Sequence, residues 1–264
     1  MSNISNLFGL EGRTAFLSGA AGHLGRHIAR GLGAMGARII LNGRNAERLQ
    51  TFAGELAREN IAAECAAFDM ADFKAVRAFF GGQKRLDILI NSAVTMTAKP
   101  WTDVEPEEFD SAYRSSVIGA FEAVRAARPA LAAATQATGD AAVVNIATMY
   151  ALVAPDIRLY SQPGQMSPPH YGAAKAALVQ LTRHMASELG PDGIRVNAIC
   201  PGPFPAPAVI ANDPAFGKRL ADRTMLRRTG RAEEIAGPVL FLAGPASSFV
   251  TGAVLVADGG WTAW

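Results

Sequence analysis

The chain alternates between two hydrophobic rhythms. Short, nearly continuous apolar runs recur along it at residues 13–19 (RTAFLSG), 37–43 (ARIILNG), 61–69 (IAAECAAFD), 86–92 (LDILINS), 141–148 (AAVVNIAT), 194–200 (IRVNAIC) and 253–259 (AVLVADG). Unbroken apolar runs of this length are the mark of strands covered on both faces, and stretches of helical length separate them. The alternation predicts an α/β fold: a Rossmann-like, doubly wound parallel β-sheet with helices on both faces and ligand at the carboxyl ends of the strands. No linker composition or internal repeat divides the chain, so residues 1–264 are expected to form a single domain. Residues 235–257 carry no charge and are long enough to cross a bilayer. Pro238, Gly244, Pro245, Ser247 and Ser248 break that run into a helix, a turn and a strand, so no membrane span is expected.

Residues 31–36, GLGAMG, match the glycine pattern of dinucleotide-binding loops. Such a loop must follow a strand and open a helix, so that helix N-terminal amides face the phosphates. GLGAMG instead closes the segment HLGRHIARGLGAMG and leads into the strand at 37–43, which assigns its glycines to helix termination and close packing. The required context lies one helix earlier, where RTAFL runs into SGAAGHLG (18–25). There Gly19, Gly22 and Gly25 supply a tight turn, close backbone approach to a ligand and tight packing of helix on strand.

Composition narrows the partners. Half of the residues are hydrophobic, enough for a substantial core, and the net charge of +2 with scattered Lys and Arg leaves no footprint for nucleic acid. A small anionic ligand remains compatible. Cys65 and Cys200 lack metal-site spacing and are expected to be free, buried thiols in a reducing compartment. MSNISNLFGL has no basic start and no long apolar run, which points to a cytoplasmic protein. His23 and His27 are one helical turn apart but no third ligand accompanies them, so no metal is expected.

A second chemical signal is YGAAK at 171–175. Tyr171 and Lys175 share a helix face, so their polar ends can converge, and an ammonium beside a phenol favours the phenolate needed to take an alcohol proton. In order along the chain, GRTAFLSGAAGHLG, LDILINSA, VVNIAT, YGAAK, GIRVNAICPGP and VTGAVLVADGG resemble the short-chain dehydrogenase/reductase family over nearly the whole length. The resemblance implies a nicotinamide cofactor, hydride transfer between an alcohol and a carbonyl, a cofactor half at about 1–147 and a catalytic half at about 148–264.

Carried over by position, the resemblance makes Tyr171 the acid/base, Lys175 the residue that lowers its pKa and holds the nicotinamide ribose, and Thr148 the counterpart of the family's catalytic serine. Ser116 stands where the family usually has an asparagine that holds a water leading to the lysine, and its shorter side chain changes that relay. Cofactor contacts are expected from Gly19, Ala21, Gly22, His23, Leu24, Gly25, Asp69, Met70, Asn91, Ala93, Pro201, Gly202 and Phe204. His23 replaces the family's middle glycine, and Ser92 and Val94 depart from its N-N-A-G. At the end of the second strand, Asn42, Gly43 and Arg44 offer no carboxylate to repel a 2′-phosphate and one arginine to grip it, which favours NADP over NAD.

The interval from Thr148 to Tyr171 is roughly ten residues longer than the family's usual one, and long loops beside active sites often cover them. This inserted loop, 150–170, offers Tyr150, Arg158, Tyr160 and His170 toward a substrate, with Arg158 as a clamp for an anionic group. With SPPHYGAAK, CPGPFP and DGGWTAW it resembles the gluconate 5-dehydrogenase-like, sugar-modifying subgroup, implying an aldonate, sugar or polyol substrate. A hydrophobic carbonyl substrate of ketoacyl thioester or steroid type is the alternative within the enzyme class. Outside that class, Ser116, Val94 and His23 raise a non-catalytic NADP(H) sensor. The family's habit, together with the apolar face of residues 121–134 and the ending GGWTAW, suggests a homotetramer or homodimer.

Overall fold

The computed structural model describes residues 7–161 and 163–264. Residues 1–6, part of the stretch read for a secretory signal, lie outside the described residues. All seven expected strands form: β1 (Thr14–Leu17), β2 (Arg38–Gly43), β3 (Ala63–Ala67), β4 (Ile88–Asn91), β5 (Ala141–Ile146), β6 (Ile194–Pro201) and β7 (Val254–Ala257). They make one parallel sheet in the order β3-β2-β1-β4-β5-β6-β7. The chain winds outward from β1 to β3, then crosses back to β4 and winds the other way. The β1/β4 boundary is therefore the switch point, where the diverging connections open a crevice at the strand ends.

Helices α1 (His23–Ala34), α2 (Ala46–Arg58) and α3 (Phe73–Gly81) connect the first four strands. Beyond β4 lie α4 (Pro106–Tyr113), α5 (Gly119–Thr138), α6 (Pro169–Leu189), α7 (Pro207–Asn212), α8 (Pro214–Arg223) and α9 (Ala236–Ala243). Successive strand residues point to opposite faces, so each strand feeds two cores. Leu17, Ile39, Leu41 and Ile90 pack with Ile28 and Leu32 of α1, Phe52 of α2 and Val239 of α9. Phe16, Ile40, Leu89 and Val143 pack on the other face with Phe80 of α3, Leu131 of α5 and Leu189 of α6.

The glycines of GLGAMG do the packing work expected of them. A Cβ on Gly31 would come within 2.6 Å of the Ala236 Cβ and one on Gly33 within 2.2 Å of the Ile61 Cγ2, while Gly36 ends α1 with φ at 94°. The charge-free run becomes α9, a short turn at Pro245–Ser247 and β7. Among the described residues no helix is long and apolar enough to cross a membrane. The expectation of two buried thiols needs correction: Cys200, on inner strand β6, is buried, whereas Cys65 is exposed because β3 is an edge strand only partly covered.

The inserted loop is folded rather than extended. It carries short 3₁₀ turns at Met149–Ala151, Ile157–Leu159 and Pro163–Gln165 and lies against α8. Arg219 Nε donates to Leu159 O at 2.6 Å, and the Tyr160 ring sits 5.4 Å from that of Phe216.

Candidate active site

The switch-point loop is shaped by what it excludes. Gly19 has φ at 68°, open to glycine at little cost, and a Cβ there would lie 3.2 Å from Ala93 N. A Cβ on Gly25 would lie 2.2 Å from Gly19 O, so the loop closes on itself only with glycine at that position. Ser18 Oγ accepts from Ser92 N at 2.9 Å and Ala93 N at 3.0 Å, tying the NSAV segment after β4 to the loop after β1. α2 and α3 are capped by the side chains of Asn45 and Asp72, but α1 has neither a side-chain cap nor an acidic residue in its first turn. Its first amides are left for an anionic group.

From this loop a cleft of about 630 Å³ runs across the strand ends. Residues 19 and 21–25 (Gly19, Ala21, Gly22, His23, Leu24, Gly25), Asn42, Arg44, Asp69, Met70 and Ala93 line one part. Thr148, Tyr171, Lys175, Pro201, Gly202 and Phe204 line the other. The Arg44 guanidinium is exposed and 3.9 Å from the Asp69 carboxylate. Arg48, which the sequence reading missed, joins it in the wall and donates from Nη2 to Ala21 O at 3.3 Å. A second arginine four residues after Arg44 was the available signal. Asn42 lines the cleft but spends its amide nitrogen on Ala66 O at 2.9 Å and Phe68 O at 3.1 Å, so that side chain staples β2 to β3.

At the other end, Thr148 follows β5 and Tyr171 sits in the first turn of α6, which Pro168 and Pro169 start cleanly. Burial pushes the Tyr171 phenol up, the Thr148 hydroxyl pulls it back, and the Cys200 thiol adds a small upward push. Lys175, one turn on, is 2 % exposed and donates from Nζ to Ile146 O at 2.7 Å. Its burial pulls the ammonium down to about 8. Both side chains line the same cleft, and the Lys175 ammonium spends one donor on the strand end. A buried ammonium needs an acceptor, and the last carbonyl of β5 supplies one.

Several expected residues stand elsewhere. Ser116 lies in a π-helical turn, Arg114–Ile118, between α4 and α5; its hydroxyl is buried, has no partner among the described residues and lies off the cleft wall. The neighbouring Ser115, missed in the sequence, lines the cleft instead and accepts from Thr95 N at 3.1 Å. Asn91 is also behind the wall. Its Nδ2 donates to Asn145 Oδ1, and Asn145 donates to Thr182 Oγ1, each at 2.9 Å, which binds β4, β5 and α6 together beneath the site.

The four inserted-loop residues do not reach the cleft. Tyr150 and Tyr160 satisfy each other, their hydroxyls 3.0 Å apart. Arg158 is 84 % exposed and grips Asp156 with two hydrogen bonds of 2.8 and 2.7 Å, holding that carboxyl near pKa 2; the expected anion clamp is therefore corrected to a local ion pair. His170 is 1 % exposed, stacked edge-on against Phe109 at 5.9 Å, and burial lowers its pKa. His23 and His27 have ring centroids 6.4 Å apart, and among the described residues no three His, Cys, Asp or Glu side chains converge as metal ligands.

The family described as enoyl-(acyl carrier protein) reductase matches residues 19–262. The chain is 34 % identical to gluconate 5-dehydrogenase of Gluconobacter oxydans, covering 97 % of each chain. It is also 34 % identical to galactitol 2-dehydrogenase (L-tagatose-forming) of Cereibacter sphaeroides, covering 98 % of each. Among solved structures, a gluconate 5-dehydrogenase from Burkholderia cenocepacia in complex with NADP and tartrate superimposes with a TM-score of 0.85 at 32 % identity, over 99 % of this chain and 100 % of that one. With the ordered motifs, the parallel sheet and the Tyr171–Lys175 helix, these matches establish that the chain belongs to the short-chain dehydrogenase/reductase family.

Proposed function

We propose that this protein is an NADP-dependent oxidoreductase that interconverts an alcohol and a carbonyl on a small polyhydroxy substrate of the aldonate, sugar or polyol kind. One observation carries the reading: a single cleft joins the uncapped start of α1 and two arginines to Thr148, Tyr171 and Lys175. The glycine-shaped loop suits a pyrophosphate, and Arg44 with Arg48, in the absence of a carboxylate at 42–44, suits a 2′-phosphate. When bound, the nicotinamide supplies or accepts the hydride. The Tyr171 phenol passes the proton to or from the substrate oxygen, the Thr148 hydroxyl orients that oxygen, and Lys175 favours the phenolate once it is released from Ile146 O.

The apolar side chains of Val94, Met96 and Phe204 in the cleft wall favour a second reading, reduction of a more hydrophobic carbonyl. We take the chain to work as one domain, its cofactor half about 1–147 and its catalytic half about 148–264, in the cytoplasm. Exposed Phe121 on α5 and exposed Trp264 are compatible with assembly as a homotetramer or homodimer.

The test is turnover, followed by the absorbance of reduced nicotinamide with NADP(H) and NAD(H) against sugars, polyols, aldonates and hydrophobic alcohols. Tyr171→Phe is expected to lower kcat by about a hundredfold or more while NADPH binding persists. Undiminished kcat in that variant would remove Tyr171 from the chemistry. Tight NADPH binding without turnover on any substrate would favour the sensor.

A further inference from the structure

Resting on the assignment of Thr148 and Tyr171 to the reacting end of the cleft, we propose that this end accepts an uncharged ketone or secondary alcohol and discriminates against carboxylates. In the sheet, β4 and β6 flank β5, so the segments leaving β4 and β6 wall the space around Thr148. After β4, residues 94–98 read VTMTA; after β6, residues 203–212 read PFPAPAVIAN; neither stretch holds a charged residue. Val94 is 39 % and Met96 49 % exposed in that wall, which Phe204 also lines.

Cations on the neighbouring elements are engaged elsewhere, Arg223 of α8 over the Trp261 ring at 5.6 Å among them. Arg158 holds Asp156, Lys99 is paired with Glu108, and Arg219 donates to Leu159 O and lies 3.4 Å from Asp213. Lys175 is turned down onto Ile146 O. Among the described residues the other basic side chains in the cleft wall are His23, Arg44 and Arg48. The two arginines belong to the β2 side, three strand spacings from β5, or about 14 Å. That exceeds the screening length of roughly 8 Å at physiological salt.

A carboxylate seated against Val94, Met96 and Phe204 would lose hydration with no counter-charge to replace it. An uncharged skeleton loses little there and gains contact with the apolar wall. The selection thus sets neutral ketoses, polyols and simple ketones apart from aldonates.

The experiment offers the NADPH-loaded protein two ketones that differ only in a terminal carboxylate against a CH₂OH group, 5-ketogluconate and the corresponding ketohexose. Both turnover and binding are measured. The neutral ketone is expected to lead by about tenfold or more in kcat/KM and in Kd. Met96→Lys, at an exposed position that leaves folding intact, is expected to move the ratio toward the acid by about tenfold. Equal or better performance by the acid, binding of neither ketone, or an unchanged ratio in Met96→Lys overturns the proposal. Preferential binding of the neutral ketone without turnover supports it while removing the catalytic reading.

Discussion

Lys175 Nζ lies 2.7 Å from the carbonyl oxygen of Ile146, so the ammonium one helical turn after Tyr171 is tied to the end of β5. Among the described residues this buried charge has one hydrogen-bond acceptor, the strand-end carbonyl. Its environment makes it the chain's clearest titrating element within the site.

Burial lowers the Lys175 ammonium from 10.5 to about 8. Between these values the unfolded chain binds a proton that the folded one releases, so stability rises with pH across that window. The contribution is fully present above 10.5 and is lost as pH falls through 8. Urea unfolding of the wild type and Lys175→Met at pH 7.5 to 10.5 is expected to show the wild type gaining on the variant, by at most about 3 kcal/mol. A constant difference across the window would mean that the ammonium is hydrated in the folded state.

Arg44 and Arg48 differ in how they are held: Arg44 is exposed with its guanidinium 3.9 Å from the Asp69 carboxylate, and Arg48 is braced on Ala21 O of the glycine loop. Arg44→Ala and Arg48→Ala are each expected to weaken NADPH binding by about tenfold and to leave NADH binding nearly unchanged. Fluorescence titration with both reduced cofactors checks this. Equal losses for the two cofactors would place the arginines away from the 2′-phosphate.

Ser116 is 2 % exposed, and among the described residues its hydroxyl in the π-helical turn has no hydrogen-bond partner. Removing an unpaired buried hydroxyl relieves a desolvation cost, so Ser116→Ala is expected to unfold at the same or higher urea, by up to about 1 kcal/mol. A loss of more than about 1 kcal/mol would show that the hydroxyl holds a bound water, and a matching fall in kcat would place that water on the proton path.

The arginine and serine pairs mark where reading the chain runs out. Arg44 was visible because it follows a strand end at a family position, whereas Arg48 gained its meaning from the Ala21 carbonyl, 27 residues away in sequence. Ser116 aligned with the family's asparagine, yet the π-helical turn sets Ser115 on the cleft wall and Ser116 behind it. One extra residue in a turn rotates every side chain after it, and no pattern in RSSVI announces that insertion.

Strands, helices and the glycine loop were legible because their causes are local. A run such as AAVVNI is apolar on both faces whatever surrounds it, a turn at φ 68° needs glycine within its own few residues, and Tyr171 and Lys175 share a face because a helix repeats every 3.6 residues. Side-chain partnerships depend on which elements meet across the fold, and there the tertiary arrangement ruled. It gave the Lys175 ammonium to Ile146, closed Tyr150 on Tyr160, turned Arg158 out to Asp156 and left Cys65 exposed on a partly covered edge. A polar side chain takes whichever acceptor lowers its desolvation cost, and that acceptor's position is settled only when the sheet and its covering helices come together.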